Sequence, residues 1–513
     1  MERLDADGTK GLAVVAGLLR TLNEDGVPYC HWKSNEHLRE SLLGLTDLDV
    51  LVDRRSYREL SSVLDRLGFK RFDSIPGKAY PGVEDFLASD PGTGRLIHLH
   101  LHNRLTLGEK HLKGYRLPWE SEILSTRKWD EESGAFIADP HIEILLLLVR
   151  SALKLRFRDR LFALGGRRIV DEDTSREFRW LTQRVDAAEV VALAQRLLGE
   201  ASTGVVNDLL STGPSFSKLL TLRRRARPML GLARTYSPMM ATCQRWAREV
   251  LWAWGVAGQL LFRRTNPIRR TNPRGGILIV ILGCDGSGKS TMLREVVAWL
   301  SKKIDVAPIY FGSGDGPSSL LRWPFKLAVS FVSGTALYRN YRKRRASAVQ
   351  VAAPTTPSRQ APWFEEVFRV VYALVLSREK RARLQTASRA RNLGMVVVCD
   401  RYPQNQVMGF NDGPLLSHLL AHRFALVRAL ARWESLPYGM SEASPPDLVV
   451  KLHVTPAMAL RRKSDMDMAE VLRRVQAVKD LRYAPSAHVA DIDADQPLDV
   501  VLNQVKRAIW QEL

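Results

Sequence analysis

The chain has 513 residues, of which 45% are hydrophobic and 26% charged, and its formal net charge is +21. That length exceeds what one hydrophobic core serves and implies two to four domains, while the composition excludes a disordered or low-complexity protein. The charge points to an anionic ligand (nucleic acid, an anionic membrane or a polyphosphate) or to solvated basic helix faces such as Arg223–Arg225 and Arg342–Arg345. Cys30, Cys243, Cys284 and Cys399 form no Cys-x-x-Cys pair, which argues against a zinc site and a disulfide framework and fits a reducing cytoplasm. The first residues lack a signal-peptide pattern, and the longest apolar run near a helix, Val250 to Phe262, is too short to span a bilayer.

In chain order, residues 1–139 read as a small α+β domain. A helix from Gly11 to Leu22 leads to strand-like runs at Asp49–Val52 and Leu96–His102, separated by a helix from Tyr57 to Leu67 that Gly68 stops. Asp47 and Asp49, two apart on one strand, point to the same side and can chelate a metal. With Lys33-Ser34-Asn35 upstream, this stretch resembles the Asp-x-Asp strand of the nucleotidyltransferase fold, over about residues 11 to 200. It is closest to a branch in which a later strand carries Asp-Leu-His. The resemblance implies Mg²⁺ on Asp47 and Asp49. Here the later strand reads His98-Leu-His100-Leu-His102, so a histidine stands where the third acid is expected, and the upstream Gly-Ser turn is missing. Three readings stay open: an active nucleotidyltransferase, a nucleotide-binding but inactive relic, and a structural role for the two acids. The alternating histidines read first as one solvated edge face, with metal ligation as the alternative.

Residues 140–262 are helical in pattern, as at Ile142 to Val149 and the amphipathic Ala187 to Leu198. From Leu219 to Phe262 basic and bulky apolar residues alternate, with Trp246, Trp252 and Trp254. These are expected to be amphipathic helices packed on the protein, the alternative being contact with an anionic partner or membrane surface. Residues 263–274, in which Arg-Arg-Thr-Asn-Pro occurs as 263–267 and again as 269–273, can build neither a helix nor a central strand and read as a linker.

Residues 275–513 read as an α/β domain. Ile277 to Leu282 is an apolar, β-branched run suited to a strand buried on both faces. Gly283-Cys-Asp285-Gly286-Ser287-Gly288-Lys289-Ser290-Thr291 follows directly, and then a helix to about Leu300. This is the G-x-x-x-x-G-K-S phosphate-binding loop in its strand–loop–helix context. Its backbone N–H groups and helix N-terminus cradle phosphates, Lys289 reaches the β- and γ-phosphates of ATP, and the Ser290 hydroxyl ligates Mg²⁺. A second apolar strand, Met395 to Cys399, ends in Asp400-Arg401-Tyr402. Asp400 stands where a carboxylate helps hold Mg²⁺, and Arg401 suits a substrate anion. A third strand, Pro446 to Val454, enters a helix bearing Arg461, Arg462 and Lys463, basic residues that can close as a lid over the transferring phosphate; a solvated basic helix face is the alternative. Arg378, on the helix before the Asp400 strand, can point into the site.

The phosphate loop, Leu374 to Lys380 with Arg378, Val398 to Tyr402, Pro446-Asp-Leu and the terminal Asp491-Ile-Asp-Ala-Asp stretch together resemble a thymidylate kinase, of the nucleoside-monophosphate kinase group. The resemblance implies a P-loop NTPase fold, a parallel sheet with helices on both faces, using ATP and Mg²⁺ to phosphorylate a nucleotide phosphate. It implies that Asp285 contacts the acceptor's sugar hydroxyl and that Arg378 and Arg401 hold the acceptor phosphate. Lys289, Asp400, Arg401 and Arg462 are then the expected catalytic set. The acceptor side departs from that family. Tyr310 to Pro317 replaces an Arg-Glu-Pro-Gly loop, an extra segment of roughly fifty residues follows, and Pro403-Gln-Asn-Gln406 replaces the usual pattern after Tyr402. The expected activity is ATP:nucleoside-monophosphate phosphoryl transfer. The alternatives are a kinase of a sugar or sugar phosphate and a non-catalytic nucleotide-sensing adaptor.

Overall fold

Short apolar runs, alternating in some strands and continuous in others, build the sheets of this protein. The computed structural model describes residues 11–109, 112–155, 171–262, 266–312, 363–407, 413–463 and 467–513. The chain divides into two units, 1–275 with 301–305 and 513, and 276–300 with 306–512. Most of the 313–365 insertion, with Arg342–Arg345, lies outside the described residues.

In the first unit, helix α1 (Ala13–Glu24) precedes β1 (Tyr29–His31) and β2 (Leu48–Val52); α2 (Tyr57–Arg66) precedes β3 (Lys70–Ser74), β4 (Val83–Ser89) and β5 (Leu96–His102). A hairpin of β6 (Leu105–Glu109) and β7 (Leu112–Leu117) stands apart, and β8 (Lys128–Asp130) and β9 (Ala135–Ile137) complete the series. With β10 (Arg270–Thr271) these form an eight-stranded sheet of order β10-β3-β4-β5-β2-β1-β9-β8. Two residues of the stretch read as a linker thus pair as an edge strand, Arg270 with Ser74 and Thr271 with Asp73. Strand β5 runs antiparallel to β4 along its whole length and parallel to β2 on its other side. It is therefore no edge, and His98 and His102 are each only 1% exposed. The solvated-edge reading of the histidines is overturned, because a strand flanked on both sides and covered by side chains meets almost no water.

Helix α3 (Pro140–Lys154) starts where the Asp139 side chain accepts a hydrogen bond from the His141 N–H at 2.8 Å and proline occupies the first turn. It is apolar nearly all round, and Ile142 and Ile144 to Val149 are buried, as expected of a helix enclosed by others. Around it pack α4 (Glu172–Thr182), α5 (Ala187–Leu198), α6 (Thr203–Thr212) and α7 (Phe216–Arg225), with Leu181, Val190, Val206, Leu219 and Leu222 in the shared core. Helix α8 (Pro238–Phe262) differs. Met239, Met240, Trp246, Val250, Leu251 and Trp254 are exposed on it, so the expectation of helices packed on the protein describes α7 and not this face of α8.

The second unit holds β11 (Leu278–Gly283), α9 (Lys289–Leu300), β12 (Val306–Tyr310), α10 (Trp363–Asn392), β13 (Val396–Asp400), α11 (Ala425–Ala443), β14 (Leu448–His453), α12 (Pro456–Arg462), α13 (Met468–Asp480), β15 (His488–Asp493) and α14 (Leu498–Glu512). Its five strands are all parallel, in the order β12-β13-β11-β14-β15. Leu278, Val280 and Leu282 pack with Leu384, Ala387 and Ala390 of α10 and Ala477 and Val478 of α13. The alternate residues Ile279 and Ile281, also buried, face the other way. Helix α9 packs on β11 and on α14, which packs on β14 and β15. Parallel strands need such crossover helices, and burial on both faces explains why β11 and β13 are continuously apolar.

Glu143 of α3 is 1% exposed and accepts hydrogen bonds from the Asn35 N–H at 2.9 Å and the Asn35 side-chain amide at 2.7 Å. Burial pushes its carboxyl up to about 7 against the lowering effect of those bonds. A carboxyl raised above its unfolded value stabilises the fold while protonated, and that stability is lost as pH climbs from the unfolded pKa through the folded one. Glu143→Gln is neutral at every pH but has one acceptor fewer for Asn35. It is expected to melt below the wild type near pH ~5, with the variant-minus-wild-type difference growing in the variant's favour as pH rises to ~8. Thermal melts across that range check this; a difference that does not grow with pH contradicts it.

Candidate functional site

At the C-terminal end of β11 the chain turns tightly into α9. A side chain at Gly286 would place its Cβ 2.6 Å from the Ala459 carbonyl, and φ there is +83°. Gly288 has φ +88°. Only glycine adopts such backbone without strain, so these two positions let the chain turn tightly into α9. Lys289 opens α9 with its side chain largely buried, and Nζ donates to the Cys284 carbonyl at 2.6 Å. Burial pulls its pKa down, while Asp285, 4.0 Å from Nζ, favours the charged form. Ser287 Oγ is buried with no hydrogen-bond partner among the described residues. Gly283 ends the strand, Ser290 is exposed and Thr291 is half-buried on the first turn.

Strand β13 lies parallel to β11 with Asp400 opposite Ile281. Asp400 is 5% exposed, and its Oδ1 has no hydrogen-bond partner among the described residues. Burial pushes its carboxyl up, against the pull of Lys289 and Arg401. Arg401 follows with φ +66° and Nη2 4.0 Å from Asp285 Oδ1. A non-glycine residue held there costs about 1–3 kcal/mol and persists only where its surroundings impose it. Burial raises the Asp285 carboxyl, but Lys289, Arg474, Lys463 and Arg401 together hold it below its ordinary value.

Arg474 of α13 donates to Asp285 and to Glu470, the latter at 2.6 Å. It was not singled out in the sequence, where its only signal is a second basic pair, Arg473-Arg474, after Arg461-Arg462-Lys463. Of the expected lid, Lys463 bears on Asp285, while Arg462 is exposed at the end of α12. Arg378 is exposed on α10, and among the described residues no contact joins it to Asp285, Lys289, Asp400 or Arg401. Asp447 of Pro446-Asp-Leu accepts from the Leu278 N–H at 2.7 Å and pairs with Arg391, which fixes the start of β14 against β11. The Gln404 side chain binds the Val407 backbone through both its amide nitrogen and its oxygen.

In the first unit, Asp47 and Asp49 do turn to one side: His100 Nδ1 lies 3.3 Å from Asp49 Oδ1 and 3.8 Å from Asp47 Oδ2. Burial raises the Asp49 carboxyl, but the Lys33 ammonium 2.8 Å from its Oδ1 and the rings of His100 and His102 together hold it far below its usual range. His102 is pulled down to about 3 by burial. A third carboxylate is present after all, on the next strand: Asp85 of β4 lies opposite His100 and 2.8 Å from His98 Nε2. Sequence reading passed over it because only the strand order brings Asp85 to Asp47.

No family model matches this chain. It is similar to the uncharacterized ATP-binding protein YghR of Escherichia coli strain K12, 26% identical over 235 residues, which are 45% of this chain and 86% of that protein. It is also similar to the uncharacterized ATP-binding protein YghS of the same strain, 28% identical over 237 residues, 46% of this chain and 93% of that protein.

Gly286→Ala tests the loop geometry. The added methyl meets backbone, and the strained φ alone costs about 1–3 kcal/mol. The variant is expected to melt below the wild type and to lose nucleotide affinity, read by calorimetric titration; unchanged melting and binding contradict the loop conformation.

Proposed function

We propose that the second unit binds ATP with Mg²⁺ and transfers the γ-phosphoryl group to the phosphate of a nucleoside monophosphate. The observation that carries this reading is the convergence of Lys289, on a glycine loop at a helix N-terminus, with the buried Oδ1 of Asp400, which has no hydrogen-bond partner among the described residues, at the ends of adjacent parallel strands. The names of the two similar proteins support the ATP half of it. Loop N–H groups and the α9 N-terminus favour a polyphosphate. Lys289 exchanges the Cys284 carbonyl for β- and γ-phosphate oxygens.

The Ser290 hydroxyl and the orphan Asp400 oxygen are hard oxygen donors and fit Mg²⁺. Bound there, the ion supplies charge neutralisation to the phosphates. Arg401 presents a planar fork suited to the acceptor phosphate, and the Asp285 carboxylate accepts from the acceptor's sugar hydroxyl. An acceptor phosphate oxygen bonds to the γ-phosphorus as the bond to the β–γ bridging oxygen breaks, and ADP leaves. Arg474 and Lys463 place positive charge beside that transfer and stabilise the charge that spreads over the moving group.

Radiolabelled ATP offered to nucleoside monophosphates, nucleosides and sugars tests the assignment. Label is expected on a monophosphate; label on a sugar alone, or none on any acceptor, overturns it. Lys289→Ala is expected to lower turnover by about 10²- to 10³-fold with the melting curve retained. Near-wild-type turnover ends the phosphoryl-transfer reading. Arg401→Lys keeps the charge and loses the fork, so it is expected to raise KM for the acceptor with ATP binding largely spared. Equal weakening of ATP binding moves Arg401 to the donor side.

A further inference from the structure

The histidine strand of the first unit carries chemistry that phosphoryl transfer in the second unit does not use. Asp85 Oδ1 faces Nε2 of two rings, His98 at 2.8 Å and His100 at 3.2 Å. Asp85 is itself fixed, its Oδ2 accepting from Ser74 Oγ at 2.6 Å and its Oδ1 lying 3.1 Å from Arg270 Nε. The other nitrogen of each ring also faces a carboxylate: His98 Nδ1 is 2.8 Å from Asp47 Oδ1, and His100 Nδ1 is 3.3 Å from Asp49 Oδ1. A neutral imidazole has one N–H. With the protons donated to Asp85, both Nδ1 lone pairs are aimed at anionic oxygens. The ring centroids are 4.1 Å apart and His98 is almost fully buried, so the two rings and Asp47 share one small polar site. One divalent cation shared by the two Nδ1 atoms and Asp47 would satisfy those lone pairs and the carboxylate together. One ligand atom from each of Asp47, His98 and His100 lies within 4.8 Å of the others.

We propose that Asp47, His98 and His100 bind a divalent transition metal, zinc foremost, with Asp85 as the positioning residue that orients both imidazoles. A carboxylate behind a metal-bound histidine is the usual outer partner of such sites. Two imidazoles and one carboxylate select zinc over magnesium, and three protein ligands leave a position open for water or substrate. The Lys303 ammonium, which donates to Asp47, is displaced when the metal enters. Cysteine spacing spoke against a zinc site because it reports only thiolate ligands. The magnesium expected on Asp47 and Asp49 gives way here, since Lys33 already neutralises Asp49.

The test uses the full chain without nucleotide. Protein stripped by chelator, loaded with zinc and dialysed against millimolar magnesium is expected to keep one zinc per chain by elemental analysis. Asp85→Asn is expected to weaken zinc binding by about 10- to 100-fold, and His100→Ala, at the most exposed of the three rings, to abolish its retention. Cobalt loading, read by the visible bands of nitrogen-bound cobalt, reports the same site; those bands are expected in the wild type and absent from Asp47→Ala. Failure of the folded wild type to keep zinc, displacement of zinc by magnesium, or full retention in folded His100→Ala overturns the proposal.

Discussion

The parallel register of β11 on β13 is the constraint on which the phosphate end of this protein rests. It sets Ile281 beside Asp400, so a loop that leaves one strand and a carboxylate that ends the next meet at the same edge of the sheet. Strand side chains alternate between faces, and a slip of one residue would send Asp400 to the opposite face. The register is held by what surrounds it. β14 pairs along the other side of β11, the Phe311 N–H donates to the Asp400 carbonyl at 3.1 Å, and Asp447 caps the start of β11. A buried carboxylate oxygen without a partner is costly, and continuous apolar burial on both faces of these strands offsets that cost.

How much was legible in the sequence follows from how local each signal is. The glycine loop is contiguous, so Gly283 to Thr291 announces strand, turn and helix together. Asp400 was readable because a carboxylate closes an unbroken apolar run. Arg474 was not, since its approach to Asp285 depends on how α13 docks rather than on spacing along the chain. The reverse held for Arg378 and Arg462, basic residues at motif positions whose side chains the structure leaves in solvent. Helix α3 was visible as an apolar run, yet the role of Glu143 within it emerges only once Asn35, more than a hundred residues earlier, is seen to bind it.

The first unit makes the same point about strand order. Period-two alternation placed His98, His100 and His102 on one face of a strand, correctly, and said nothing of which strands flank it. Whether such a face meets water or three carboxylates is decided by β4, the hairpin partner just before it, and by β2, which joins the other side across the chain between Val52 and Leu96. Helix α8 shows the opposite limit. Its mixed basic and apolar pattern suits packing as well as exposure, and its tryptophans and methionines stand in solvent while Arg245 and Arg248 turn back to Glu109 and to the Ala79 carbonyl.

The hydrogen bond from Lys289 to the Cys284 carbonyl has a consequence for which ligands the loop admits. A ligand that would draw this ammonium away must first replace an internal partner, so its apparent affinity is its intrinsic affinity reduced by the fraction of loops with the lysine released. Every ~1.4 kcal/mol in that internal bond is a tenfold reduction. A ligand whose phosphate chain is too short to reach the ammonium gains nothing in exchange. It also gives up nothing, so under the proposed ATP reading the internal bond narrows the advantage of a chain long enough to reach the lysine. The lysine's contact with the outer phosphates must exceed that cost before length is favoured.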